Sequence, residues 1–142
     1  MIPDDKDMKI LELLQKDSRL SYTDISKVLK ITEAAVRKRV SKLVNNGVIR
    51  RFTIIPDHVK LGFRVVSLTG IDAQPDKLFS IAKKISEKTW AKKVYITAGD
   101  HSIMAEIWAK DNEEFSKIIH EIEQMDGVIK ICPAMILEAI KE

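Results

Sequence analysis

Arg37, Lys38, Arg39 and Lys42 stand within six residues of one another in "ITEAAVRKRVSKLV", where Val36, Val40, Leu43 and Val44 recur at i, i+4, i+7 and i+8. That spacing builds one apolar helical face, so the cations must divide between the outer side and its edges. With Val36 at the centre of the inner face, Ala34, Lys38, Ser41, Lys42 and Asn45 fall opposite it. Arg37 flanks them, and Arg39 turns toward the core edge. Small residues at the start of such a surface (Ala34, Ala35) let a helix approach a groove floor, and cations beyond them meet phosphates or guanine edges. The chemistry these residues suit is recognition of a polyanion. The candidate DNA-binding residues are Thr32, Ala34, Ala35, Arg37, Lys38, Ser41, Lys42, Arg50 and Arg51. Arg37 and Lys38 suit base edges, while Lys42, Arg50 and Arg51 suit backbone phosphates. Arg39 is as well suited to a structural ion pair. A lone basic helix is more often a solvated face, so the case rests on the elements around it.

Those elements form two series. Helices are predicted over Asp5–Lys16, Ser21–Leu29 and Thr32–Asn45, with inward stripes Ile10/Leu11/Leu14, Ile25/Val28/Leu29 and the valines above. Asp4 or Asp5 can cap the first, "SYTD" reads as a capping box for the second, and Thr32 caps the third. Gly47 is placed to end the third in a left-handed cap. Three short helices with brief connections read as a helix-turn-helix, and "VIRRFTIIPD" as a wing or hinge strand ending at Pro56. Beyond Leu61 the pattern changes to strand (63–72), helix (76–88), strand (92–98), strand (102–110), helix (112–124) and strand (128–140), a ferredoxin-like βαββαβ order. The fold class is therefore α+β: a winged helix-turn-helix (1–50), a hinge strand (51–62) and a ferredoxin-like domain (63–142). Both helices of the second half must lie on one face of its sheet. The other face, carrying Ser102, Met104, Glu106 and Trp108, is left bare, and a large apolar patch of that kind is usually covered by a second copy. Pro133 suits an edge strand.

Composition narrows the classes. The 142 residues are 45% hydrophobic and 32% charged, enough for a sizeable core in one or two domains. No apolar run approaches the roughly 20 residues that span a bilayer. The acidic start "MIPDDKDMKI" lacks a signal-peptide layout, and the single Cys132 suits a cytoplasmic location. Residues 1–60 carry 13 Lys/Arg against 8 Asp/Glu, whereas 61–142 carry 11 against 13. A basic half joined to an acidic half points to modules with different partners.

The stretch "DMKILELLQKDSRLSYTDISKVLKITEAAVRKRVSKLVNNGVIRRFTIIPDHVKLGF" resembles the Lrp/AsnC (feast/famine) transcriptional regulators, especially archaeal ones, and "TAGDHSIMAEIWAKD" and "GVIKICPAMILEAIK" are similar to that family's C-terminal effector (RAM) domain. The resemblance implies a regulator of amino-acid metabolism that binds double-stranded DNA. It also implies dimers built through the second domain, assembled further into tetramers or octamers, and an amino-acid effector held between subunits. The family's pocket falls here on Thr97, Ala98, Gly99, Asp100, His101 and Ser102. The chemistry suits it, since N–H groups near a glycine can hold a carboxylate and Asp100 an ammonium group. A Gly-Asp hairpin needs no ligand, however. Glu106 would favour a basic effector such as lysine. No other cofactor and no metal is expected. The chain departs from the family pattern at Lys30, where glycine is usual before the third helix, and at Asn45-Asn46, where acids are usual.

Three rival readings are weaker. An enzyme would need a convergent titratable cluster, and none is visible. His58, His101 and His120 share no ligand spacing with each other or with Cys132 and read as surface histidines. No Ser/His/Asp set, P-loop or Rossmann pattern occurs. An RNA-binding sheet would use Tyr95 and Trp108, but that half is net negative. A helix-turn-helix serving protein contact alone would show no salt-dependent binding to duplex DNA. Among DNA binders, the alternative is a regulator or architectural protein without an effector.

Overall fold

Asp4 accepts the backbone N–H of Asp7 at 2.9 Å, and the Asp7 carboxylate accepts that of Asp4 at 3.0 Å; this reciprocal cap starts helix α1, Asp5–Lys16. Ser21 caps α2, Tyr22–Leu29, through the Asp24 N–H, and Thr32 caps α3, Glu33–Asn45, through that of Ala35. Each cap satisfies a donor that the helix itself leaves unpaired. At Ser21 only this half of the expected box forms. Ile10, Leu14, Ile25, Val36, Val40 and Leu43 make the buried centre, with Leu11, Leu29 and Ile49 packed around it. Val28 and Val44, expected inward, are exposed. They sit at the rims of their stripes, beyond what three short helices can cover.

Two left-handed residues shape the turns. Lys30 adopts φ 57° and ψ 44°, and both its N–H and that of Ile31 reach the Ser26 carbonyl. Gly47, at φ 72°, reverses the chain after α3 so that the Ile49 N–H meets the Leu43 carbonyl at 3.0 Å. The expected strand after this point does not form. Residues 50–57 join no strand ladder; the Thr53 carbonyl accepts from the Ser18 hydroxyl, and Asp57 accepts the N–H groups of Lys60 and Leu61. A strand needs a neighbour, and the first unit offers only helices.

The computed structural model describes residues 1–142, and the chain divides into two compact units, Met1–Ile55 and Pro56–Glu142. The second unit runs β1 (Val65–Ala73), α4 (Leu78–Ser86), β2 (Ala91–Ile96), β3 (Ile103–Ala109), α5 (Asn112–Glu123) and β4 (Val128–Met135). The antiparallel sheet is ordered β2-β3-β1-β4. Ile103, Ala105, Ile107 and Ala109 of β3 lie buried beneath Ile81, Ile85, Phe115, Ile118 and Ile122 of the helices. One polar pair shares that underside: the hydroxyls of Ser67 and Thr69 bond each other at 2.6 Å, fully buried. Pro133 lies in the edge strand β4, opposite Thr69. β4 stops at Met135 rather than near Ile140, because β1 begins at Val65 and its partner positions run out; only the Ile136 N–H continues, to Val66.

The sheet face away from the helices is less bare than expected. Trp108 is half-buried beneath His58 and Phe63, with ring centroids 5.9 and 5.6 Å away, and Lys92 Nζ stands 5.1 Å from its ring centre. The chain just before β1 thus folds back over one end of this face. Leu68 and Tyr95 remain exposed on it.

Candidate functional site

Helix α3 is anchored on its two flanks by the two arginines that bracket Lys38. On one flank, Arg39 donates to both carboxylate oxygens of Asp4 (2.9 and 2.8 Å) and to Asp7 Oδ1 at 3.0 Å. Asp7 is nearly buried, so this charge-assisted fork both satisfies it and ties α3 to the start of α1. Bonding to Arg39, and then to the Asp7 N–H, holds the Asp4 carboxyl below its ordinary pKa, and the two carboxylates raise that of Arg39. Arg39 is therefore structural. On the other flank, Arg37 bonds Glu33 at 2.9 Å and lies 5.1 Å above the centre of the Tyr22 ring. Glu33 also accepts the Thr23 hydroxyl at 3.0 Å.

Between these flanks the helix is open. Ala34, Lys38, Ser41, Lys42 and Asn45 are exposed, as the spacing predicts. Lys38, Lys42, Arg50 and Arg51 pair with no acid, while Thr32 is occupied as the N-cap and Ala35 is half-buried. An open cleft of about 450 Å³ borders Ala35, Lys38 and Lys42, its far wall formed by Met1, Asp4 and Asp7. Two free cations on a capped, well-packed helix, with two more just beyond its end, are an arrangement that can meet phosphates and base edges.

In the second unit the β2–β3 turn is closed by the Thr97 N–H to Ser102 carbonyl bond at 2.9 Å and by the Thr97 hydroxyl to His101 carbonyl bond at 2.7 Å. Gly99 takes φ 125°, and Ala98, Gly99 and Asp100 are exposed. His101 is not a lone surface residue. Its Nδ1 lies 3.1 Å from Asp72 Oδ1, and its ring covers Gly70 so closely that a side chain there would collide with it. His58 likewise is half-buried, with Nδ1 donating to the Phe63 carbonyl at 2.8 Å. Glu106 accepts the Trp108 indole N–H at 3.3 Å. The sequence reading missed Tyr22, Thr23 and Glu33 around Arg37, and Asp72 and Gly70 around His101. The Glu33-to-Arg37 spacing of four was a legible signal. Nothing local marks Asp72, which is 29 positions from His101.

Two family models match the chain. Residues 3–50 match a winged helix-turn-helix DNA-binding model, and residues 65–142 match the Lrp/AsnC ligand binding domain. The HTH-type transcriptional regulator LrpA of Pyrococcus abyssi is 48% identical over 97% of this chain and 99% of its own length. The structure of B. subtilis LrpC, 26% identical, superposes with a TM-score of 0.87 over 99% of each chain. The transcriptional regulator NMB0573 of Neisseria meningitidis, solved as a complex with L-Met, shares the fold at a TM-score of 0.90 with 17% identity, over 99% of this chain and 94% of that one. The relatives are regulators rather than enzymes. With an HTH unit carrying free cations, followed along the chain by a βαββαβ unit, the chain belongs to the Lrp/AsnC family of DNA-binding transcriptional regulators.

Proposed function

We propose that α3 reads duplex DNA in the major groove, with Arg37 and Lys38 at base edges and Lys42, Arg50 and Arg51 on phosphates. Thr32, Ala34, Ala35 and Ser41 line its approach. The observation that carries this reading is the division of labour among the cations. Arg39 is neutralised within the unit, whereas Lys38, Lys42, Arg50 and Arg51 stand exposed and unpaired. Binding of wild type, Arg37→Ala, Lys38→Ala and Lys42→Ala to a pool of duplexes tests it. The first two substitutions should each cost on the order of 1–3 kcal/mol and relax preference at particular base positions, and the third should weaken all sequences alike. Arg37→Ala and Lys38→Ala that both preserve affinity and preference would remove α3 as the reader.

The second domain, from residue 63, carries self-association and takes a small amino acid at Thr97–Ser102, and residues 51–62 link it to the DNA-binding domain. Support comes from the exposed Gly99 and Asp100, whose carboxylate makes no bond within the chain, and from the ligand-binding character of the matched domain. A regulator of this fold complexed with L-Met adds to it. A ligand that favours one assembly over another shifts DNA binding through that preference alone. Calorimetry against the twenty common amino acids, lysine first because of Glu106, is the test. Asp100→Ala should abolish the heat while leaving basal DNA binding intact. Silence across the panel would leave a regulator without an effector.

A further inference from the structure

Glu33 stands out as the one acid among residues 31–51, on a helix otherwise furnished for polyanions. Its charge opposes phosphate binding, so its presence calls for a reason. An acid in the first turn of a helix complements the dipole, and that alone would be a sufficient explanation for a carboxylate with no partners. Glu33 has two. One oxygen takes the Arg37 guanidinium at 2.9 Å and the other the Thr23 hydroxyl at 3.0 Å, so a single carboxylate bridges α2 and the side chain of α3 four residues on. Arg37 is held from a second direction by the face of Tyr22, also on α2. Each contact is weak by itself, because the pair is about half exposed. Together they fix a planar fork that would otherwise sample many rotamers. A guanidinium matches guanine only when its plane is aligned with the base edge.

The geometry points to Glu33 and Tyr22 as specificity-determining residues that position Arg37 for one base edge, an inference that rests on the reading of α3 as the DNA-recognition helix. Neither needs to touch DNA. The clamp leaves the outer side of the guanidinium wet, with 61% of the Arg37 side chain accessible. Bound DNA thus finds the fork already oriented, and the ordering cost falls on the free protein.

The experiment is a competition of the full-length protein against a randomised duplex pool at one fixed salt concentration. Glu33→Ala and Tyr22→Leu should each blur preference at the base positions that Arg37→Ala blurs, by about tenfold, within the range a bidentate base contact discriminates. Glu33→Gln keeps an acceptor oxygen for Arg37 and turns its amide N–H to the Thr23 hydroxyl oxygen, so it should retain the preference while raising affinity for every duplex. Glu33→Asp keeps the charge at the helix start but is too short to bridge, and should lose the preference. In an Arg37→Ala background, Glu33→Ala should change preference no further. If Glu33→Ala and Glu33→Asp both leave the wild-type preference in place, Glu33 serves only the helix dipole and the inference is overturned. A wild-type protein that shows no preference among duplexes overturns the α3 reading itself, and this inference with it. Thermal melts of each variant separate misfolding from lost positioning, and the Gln and Asp variants keep the test decisive if Ala unfolds the helix.

Discussion

Arg39 and Lys38 are adjacent cations with opposite duties, and their substitutions should separate cleanly. Arg39→Ala leaves Oδ1 of the nearly buried Asp7 without its partner and removes the polar tie between α3 and α1, so it should destabilise the protein by about 1–3 kcal/mol in chemical denaturation. Lys38→Ala should move stability by less than about 0.5 kcal/mol. The same cluster carries a pH signature. The folded pKa of Asp4 is depressed by Arg39, so its contribution is complete above the ordinary carboxylate value and disappears as pH falls through the depressed one. The melting temperature of Asp4→Asn should therefore lie below wild type at neutral pH, and the gap should close in strong acid. Lys30 provides another residue-scale test. A side chain at φ 57° costs roughly 1–2 kcal/mol, part of which glycine returns through its floppier unfolded chain. Lys30→Gly should stabilise by about 0.5–1 kcal/mol, measured by urea denaturation.

At the scale of elements, α3 meets its ligand through cations the fold does not already use. A neutralised phosphate contributes about −0.9 to the slope of log affinity against log salt. Lys42→Ala should shrink the magnitude of that slope by about one with preference unchanged, as read from binding isotherms at several salt concentrations. Helices were the most legible elements in the sequence, since α1 and α3 each carry a capping side chain and an apolar stripe of the right period. The second-half strands were legible by alternation and by the Gly-Asp turn. The segment after Gly47 was not, because β-branched residues and arginines state only a preference for extended backbone. Whether such a segment joins a ladder depends on a neighbour that a local pattern does not reveal. Candidate site residues followed the same division. Outward positions on α3 came from helical spacing alone, whereas the Asp72–His101 contact and the Tyr22 ring beneath Arg37 depend on how elements pack.

For the whole molecule, the open sheet face is the surface on which self-association is proposed. Leu68 and Tyr95 are exposed there, between the Trp108 cluster at one end and His101 at the other. Leu68→Glu puts an unpaired charge on that face and should shift sedimentation toward smaller species while the melting curve of the remaining fold persists. An unchanged mass at micromolar concentration would direct attention away from this face.

The proline in β4 bears on what kind of growth the molecule permits. The Ile136 N–H points inward to β1, so by the two-residue period of a strand the backbone nitrogen of residue 133 points outward, away from Thr69. A strand docking from outside would need a donor there and would find a pyrrolidine ring instead. This margin of the sheet thus refuses the stacking by which exposed strands lengthen into fibrils. Pro133→Val restores the missing donor, and light scattering on prolonged warming should rise above that of the wild-type protein.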